Sequence, residues 1–331
     1  MPSSAIAARI LIFTLLAVGY RSAGEADKRQ HATELLTQAK SQQAIRAEGS
    51  KPFHLYLRIH AERIVAKPID GTYEEVWLSP DNRRHEIVFP GFRQVVAGDE
   101  NAVWVTRNLD FRPRVEYLIT EAIERFVHPE LSSKEKIVSL HEKKKKSIAV
   151  QCAELGGAGA PNRELCFDSS GALFSDETMD QRFEYADYRK FEGKIFPSRI
   201  QVYESGAEVL NLAADDLSQP HDVSPKLFEH EPGALKMAPC ERPSTDLVKK
   251  VPPHYPEDAR QARQQGTVIL YALVSGDGQI EKIKVLEGPG RSLEQAAVDA
   301  VQQWVYAPAR CGTVALPTEM ELRVNFTLSF Q

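Results

Sequence analysis

The chain has 331 residues, which is long for one hydrophobic core and comfortable for two. A formal net charge of -5, with 26% charged residues, excludes a global attraction to nucleic acid. An apolar content of 42% excludes a largely disordered chain.

The N-terminus carries Arg9, the apolar run Ile10–Val18, and then small residues at Ser22, Ala23, Gly24 and Ala26. A basic residue, a short apolar core and a small-residue exit predict a secretory signal peptide over 1–26, cleaved after Gly24 or Ala26. The apolar run falls below the roughly 20 residues that span a bilayer. An uncleaved anchor in the inner membrane is the alternative. With no cysteine near the exit, lipoprotein processing has no acceptor.

From Asp27 to about Gly49 the spacing of Leu35, Leu36, Ala39, Ala44 and Ile45 predicts an amphipathic helix. Strands follow at 53–59, 71–80, 83–89, 92–96 and 102–106. Asp81-Asn82, Pro90-Gly91 and Gly98-Asp99 turns separate them, so the reading is an antiparallel meander. A helix over 114–126 carries Val115, Leu118, Ile119, Ala122, Ile123 and Phe126. Strands resume at 147–153, 164–168, 171–174, 181–188, 193–203 and 208–213. The Lys143–Lys146 run reads as a solvated turn before a strand, with anionic lipid binding as the sharper alternative.

Gly71–Pro80 and Asp187–Pro197, with the general layout, resemble the lipoprotein-carrier (LolA-like) half-barrel. That resemblance implies a sheet curled round a helix, with a concavity for a lipid or another hydrophobic ligand. A fully packed core is the alternative.

All four cysteines, Cys152, Cys166, Cys240 and Cys311, lie beyond the signal, and four allow three pairings. Cys152 and Cys166 flank a glycine-rich loop between strand-like runs, so a bridge across that hairpin is expected. Cys240 with Cys311 would staple the linker to the last domain. Free buried thiols are the alternative.

Metal binding lacks a Cys-x-x-Cys or a nearby histidine pair. His54 and His60 have no third ligand. Glu74-Glu75 and Asp215-Asp216 are adjacent pairs, which point to opposite faces of a strand and make poor acid–base couples. No nucleophile–base motif occurs. The expectation is a protein without catalytic residues, cofactor or metal.

Residues 231–250, with Pro232, Pro239 and Pro243, read as a linker. Beyond it Pro252–Pro256 is a rigid lead-in, with Pro256 at the first position of a helix that carries Ala259 and Ala262 and that Gly266 ends. Thr267–Val274 and Gln279–Leu286, joined by Ser275–Gly278, predict a β-hairpin. Ser292 and Gln295 have the form of a capping box. Behind it Leu293, Ala296, Ala297, Ala300, Val301 and Trp304 form a helical stripe. From Glu319 to Phe330 apolar and polar residues alternate, which predicts a long strand with one buried face.

Tyr255-Pro256, Gly266, Gly278, the Ala296–Ala309 run with Trp304, Tyr306 and Pro308, and the alternating last strand resemble the C-terminal domain of TonB-family energy transducers. The match covers about a quarter of the chain. The long proline-rich spacer of such transducers is not evident here. The resemblance implies that the last strand lies at a sheet edge, bordered by the Val251–Tyr255 lead-in. There it would take up an extended peptide from an outer-membrane receptor or another envelope protein, with Glu321, Arg323, Asn325 and Thr327 at the contact. A homodimer, or packing of that sheet on the first domain, is the alternative, because Ile269, Tyr271 and Leu273 leave the first strand apolar on both faces.

The combined expectation is an α+β protein of the periplasm. An N-terminal antiparallel half-barrel with helices (27–230) is joined by the linker (231–250) to a small two-layer αββαβ TonB-type domain (251–331).

Overall fold

The computed structural model describes residues 5–98, 103–132, 134–157, 160–237, 246–311, 314–315 and 317–328. In chain order α1 (Ala5–Gln43) precedes β1 (Phe53–Ala61), β2 (Ile69–Ser79), β3 (Asn82–Phe89), β4 (Phe92–Gly98), β5 (Val103–Arg107) and α2 (Arg114–Val127). Then come β6 (Lys136–Lys145), β7 (Ile148–Gly157), β8 (Ala160–Phe167), β9 (Leu173–Thr178), β10 (Gln181–Phe191), β11 (Lys194–Glu204) and β12 (Ala207–Ser218). A single 3-10 turn at Pro225–Phe228 leads to β13 (Leu235–Met237) and β14 (Leu247–Lys249). The last stretch holds α3 (Glu257–Gln261), β15 (Gly266–Val274), β16 (Ile280–Glu287) and α4 (Arg291–Val301). The two-residue strands β17 (Val305–Tyr306), β18 (Arg310–Cys311) and β19 (Val314–Ala315) precede β20 (Thr318–Phe326). The fold is mostly sheet with a few helices: a large antiparallel sheet and a small three-stranded one near the C-terminus.

Two differences from the expected elements have clear physical causes. Helix α1 stops at Gln43, so Ala44 lies beyond it, and Gly49 turns the chain at a φ of 78°. Its apolar stripe is Ala32, Leu35, Leu36 and Ala39, all buried at helical spacing. The four-lysine run is not mainly a turn, because Lys143, Lys144 and Lys145 belong to β6 and only Lys146 turns the chain. No described helix is long and apolar enough to cross a membrane.

Contacts divide the chain into two bodies, one of Met1–Ile45 with Ala122–Asn211 and one of Arg46–Glu121 with Leu212–Gln331. In the first body β6 to β10 form an antiparallel meander, and β10 pairs in turn with β11. Phe126 anchors its core between the rings of Tyr185, at 5.0 Å, and Phe196, at 5.7 Å. Full burial of such a side chain contributes about 1.5–3 kcal/mol. Asp176, with no exposed surface, receives Arg125 at 2.7 Å and both Nε and Nη2 of Arg163 at 2.8 and 2.7 Å. Burial alone would raise its pKa, but the two guanidiniums hold it below the usual carboxylate range. A disulfide joins Cys152 and Cys166, which face each other across β7 and β8, as the hairpin reading expected.

In the second body β1 to β5 continue the same meander logic, and β13 closes on β5. Phe53, Leu55, Leu57, Ile59 and Ala61 alternate into the core, where Phe53 stacks on Trp77 at 5.7 Å. Glu75 is buried and takes Arg46 on both oxygens at 2.8 and 2.7 Å, whereas Glu74 faces out to His54 at 2.9 Å. Those two carboxylates part to opposite faces as expected. Asp215 and Asp216 do not, because they reach Arg58 and His54, which lie four residues apart on one face of β1. The ends of the expected linker are strands: β13 and β14 both pair, with β5 and β17. Residues 238–245 between them lie outside the described residues.

Candidate functional site

The C-terminal stretch is built on a lead-in that is tied down at both ends. Trp304 donates its indole Nε1–H to the Val251 carbonyl at 2.8 Å, and Tyr255 donates its hydroxyl to the Gln264 carbonyl. The Tyr255 ring meets Phe326 of β20 edge-on at 5.6 Å. Pro256 is the N-cap of α3 and not its first helical residue, and only Ala259 of the two expected alanines is buried.

Gly266 does not end the helix. Helix α3 stops five residues earlier, Arg263 takes a φ of 51°, and Gly266 opens β15 at a φ of 144°. A Cβ there would stand 3.2 Å from the Pro289 ring, so this close crossing needs glycine. Gly278 turns the hairpin at a φ of 88°, where a Cβ would fall 1.9 Å from the Tyr306 carbonyl oxygen. Tyr306 donates its backbone N–H to the Gly278 carbonyl at 2.9 Å, and burial pushes its phenol up to about 12. Pro308 sits half-buried between β17 and β18. These motif residues therefore hold the fold together.

The expected capping box does not form. Gly290 is the N-cap of α4, and the Ser292 hydroxyl reaches Asp258 of the preceding helix. The stripe behind it does form: Leu293, Ala297, Val301 and Trp304 pack with Val268, Leu270, Ala272, Leu322, Val324 and Phe326, and Ala300 is buried too.

The small sheet runs β16-β15-β20. Strand β20 pairs with β15 without a break from Gly266↔Phe326 to Val274↔Thr318. Its other side pairs with no strand among the described residues, so β20 is an edge with backbone groups open to a partner. Of the predicted contact residues, Glu321, Arg323 and Asn325 share the face of β20 opposite α4. Thr327 lies one residue past its end and is exposed. Asn325 is exposed and accepts from the Thr267 hydroxyl at 2.8 Å.

The N-terminal half of β20 is covered on that same face. Arg107 grips both oxygens of Glu319 at 2.7 and 2.6 Å, with their side chains 6% and 9% exposed. Tyr271 donates its hydroxyl to Glu319 at 2.7 Å. Phe111 meets the Tyr271 ring edge-on at 6.4 Å, and Lys284 of β16 lies 5.5 Å from the centre of the Phe111 ring. Asp110 pairs with Lys282 and Arg114 with Glu287. Packing of this sheet on the preceding part of the chain is the alternative the sequence holds open, but the partners themselves could not be named, since Arg107 and Glu319 are 212 residues apart. The apolar Ile269 and Tyr271 on the outer face of β15 were the one available signal, and both are buried.

The Cys240–Cys311 bridge cannot be placed: Cys240 and the Cys311 side chain lie outside the described residues. His141, Cys152 and Glu164 approach one another, but the Cys152 sulfur is bonded to Cys166, and Lys143 and Lys145 hold Glu164. Lys146 is engaged in the same way, on Glu184 at 2.5 Å.

Residues 251–328 match the family model described as Gram-negative bacterial TonB protein C-terminal. Protein tonB2 of Pseudomonas aeruginosa is 36% identical over 78 residues, which cover 23% of this chain and 29% of that protein. The chain thus spans less than a third of the length of this curated relative. Among solved structures, the TonB C-terminal domain of Pseudomonas aeruginosa in solution is 26% identical, covering 28% of this chain and 93% of that one, with a TM-score of 0.24. A LolA superfamily protein from Nitrosomonas europaea is 15% identical, covering 60% of this chain and 97% of that one, with a TM-score of 0.41. The similarity to TonB proteins falls on the stretch that holds β15, β16, α4 and β20.

Proposed function

We propose that this chain is an exported, non-enzymatic protein of the Gram-negative cell envelope. Its C-terminal αββαβ module (251–331) captures an extended segment of an envelope protein, an outer-membrane receptor in the first instance, in support of transport. A signal peptide (1–26), a half-barrel body (27–230) and a linker (231–250) precede the module. The observation that carries this reading is the open edge of β20, within the stretch that matches the TonB C-terminal family model. A segment pairing there gains backbone hydrogen bonds whatever its sequence. The side chains of Glu321, Arg323, Asn325 and Thr327 would set specificity.

A carrier role for the body has weaker support. A groove of about 970 Å³ in the first body has a mixed lining, with charged Lys143, Arg163 and Glu184 beside apolar Val138, Leu155 and Met179, and so does not by itself mark an acyl-chain site. The test is site-specific photo-crosslinking from Asn325 and Thr327 in the native envelope. Crosslinks to an outer-membrane protein are expected, with a ladder of adjacent positions diagnostic of a paired strand. Products containing only a second copy of this chain would replace the reading with a homodimer. Bound lipid recovered from the purified protein, without any crosslink, would favour the carrier.

A further inference from the structure

The outer face of the small sheet is occupied by a piece of the same chain. Residues 107–114, from the last residue of β5 to the first of α2, run across all three strands. They meet β16 through Lys282, Lys284 and Glu287, β15 through Tyr271, and β20 through Glu319. The piece is braced from behind. Arg112 holds Glu116 at 2.5 and 3.1 Å, Gln94 of β4 donates to Glu116 at 2.8 Å, and the Arg112 guanidinium lies 4.0 Å from the centre of the Tyr117 ring. Coverage along β20 is graded. The side chains of Glu319, Glu321 and Arg323 are 9%, 15% and 27% exposed, and Asn325 is open.

We propose that residues 107–114 form a built-in strap on the C-terminal module. While it is closed, a partner strand can pair only along the Leu322–Phe326 half of β20. Pairing along the Thr318–Glu321 half requires the strap to lift. The proposal rests on the reading of β20 as the capture edge, but the strap can be tested with no partner present. Its centre is the Arg107–Glu319 pair, a forked, almost dry contact, in which either charge alone would be left buried and uncompensated. Its flank is Asp110–Lys282, which is exposed and contributes little by itself.

The test uses the full chain. A zero-length carbodiimide crosslinker should join Asp110 to Lys282 in the native protein, as read by peptide mass spectrometry. Arg107→Glu should abolish that crosslink and speed hydrogen exchange of residues 318–322 about tenfold, while Val268–Val274 stay protected. Arg107→Glu combined with Glu319→Arg should restore both. No Asp110–Lys282 crosslink in the native chain, or unchanged exchange in a folded Arg107→Glu variant, would overturn the strap. If Arg107→Glu also deprotects Val268–Val274, the module has unfolded, and Phe111→Ala, which removes the ring lying against Tyr271, is read in its place. A faster exchange confined to 318–322 then supports the strap, and no change overturns it. Failure of every variant to capture an envelope partner would sink the capture reading alone.

Discussion

The large sheet ends on β6 and the small one on β20, and these edges carry opposite chemistry. Strand β6 presents Lys136, Glu142, Lys143 and Lys144 to solvent, so an incoming strand would have to desolvate several charges. The opposite end of the large sheet, β13, is only three residues long and leaves little to pair with. On β20 the charges do not guard the edge, because Glu319 is gripped by Arg107 and Glu321 is paired with Arg323 of its own strand. The far edge of the small sheet, β16, is occupied at Lys282 and Glu287 by the same segment. Among the described end strands of the two larger sheets, β20 is the long one whose charges are drawn away from an incoming strand, as the proposed capture requires.

Proline substitutions break the comparison most sharply. Asn325→Pro removes a backbone donor from β20 and should abolish partner capture, provided the melting curve shows a folded module. Glu142→Pro on β6 should leave capture unchanged. Equal losses from both variants, each folded, would mean that capture does not depend on the β20 edge.

The disulfide sharpens the comparison from the other side, since Cys152 and Cys166 staple the two strands next to β6. Replacing both by serine should destabilise the first body by about 2–4 kcal/mol in urea unfolding. Exchange should rise in β6 to β8, and β15 and β20 should keep their protection. A uniform loss across both sheets would show that they unfold as one unit.

A smaller effect follows from the lysines. Lys143→Val with Lys144→Val removes charge from the guarded edge and should promote concentration-dependent self-association, read by sedimentation. Asn325→Lys adds charge to the open edge and should weaken capture without changing the melting temperature by more than a few degrees.

Much of this was legible in the sequence, and the failures share a cause. Strands β1 to β5 and β20 showed themselves because one face of each is buried, which imposes a period of two on residues such as Leu55, Leu57 and Ile59 or Leu322, Val324 and Phe326. Strand β6 escaped notice because an edge strand advertises its solvent face, and Lys143–Lys145 look like a loop. Local motifs also misled where a distant group competes for the same atoms. Ser292 meets Asp258 and caps nothing, and Gly266 answers to Pro289 and not to the helix before it. The strap left only the doubled apolar faces of β15 as its trace. An ion pair across 212 residues has no periodicity to read.

The least effect, and the one that probes the covered half of β20 most directly, concerns Glu321. Its Oε1 accepts from Arg323 Nε at 3.1 Å, while its Oε2 is buried with no hydrogen-bond partner among the described residues. Burial raises its pKa above the ordinary glutamate value of 4.5. Arg323 and Arg114 oppose that shift, and the like charge of Glu121 adds to it. The folded state thus prefers the neutral acid. Its contribution to stability is full below pH 4.5 and is lost as pH rises through the raised folded value. Glu116, on the bracing side of the strap, has the opposite sign. Burial pushes it up, but Arg112 wins and holds it low, so its contribution is present above 4.5 and fades only below that. The two windows do not overlap, and a comparison with Glu321→Gln between pH 7 and pH 4.5 isolates the first. The variant should be at least as stable as the native chain at pH 7, and the gap should close as the native Glu321 takes up its proton. A native chain more stable than Glu321→Gln at pH 7, by a margin that shrinks as the pH falls, would show that the ionised carboxylate is wanted there. The covered half of β20 would then be held by its ion pairs at neutral pH and not strained by them.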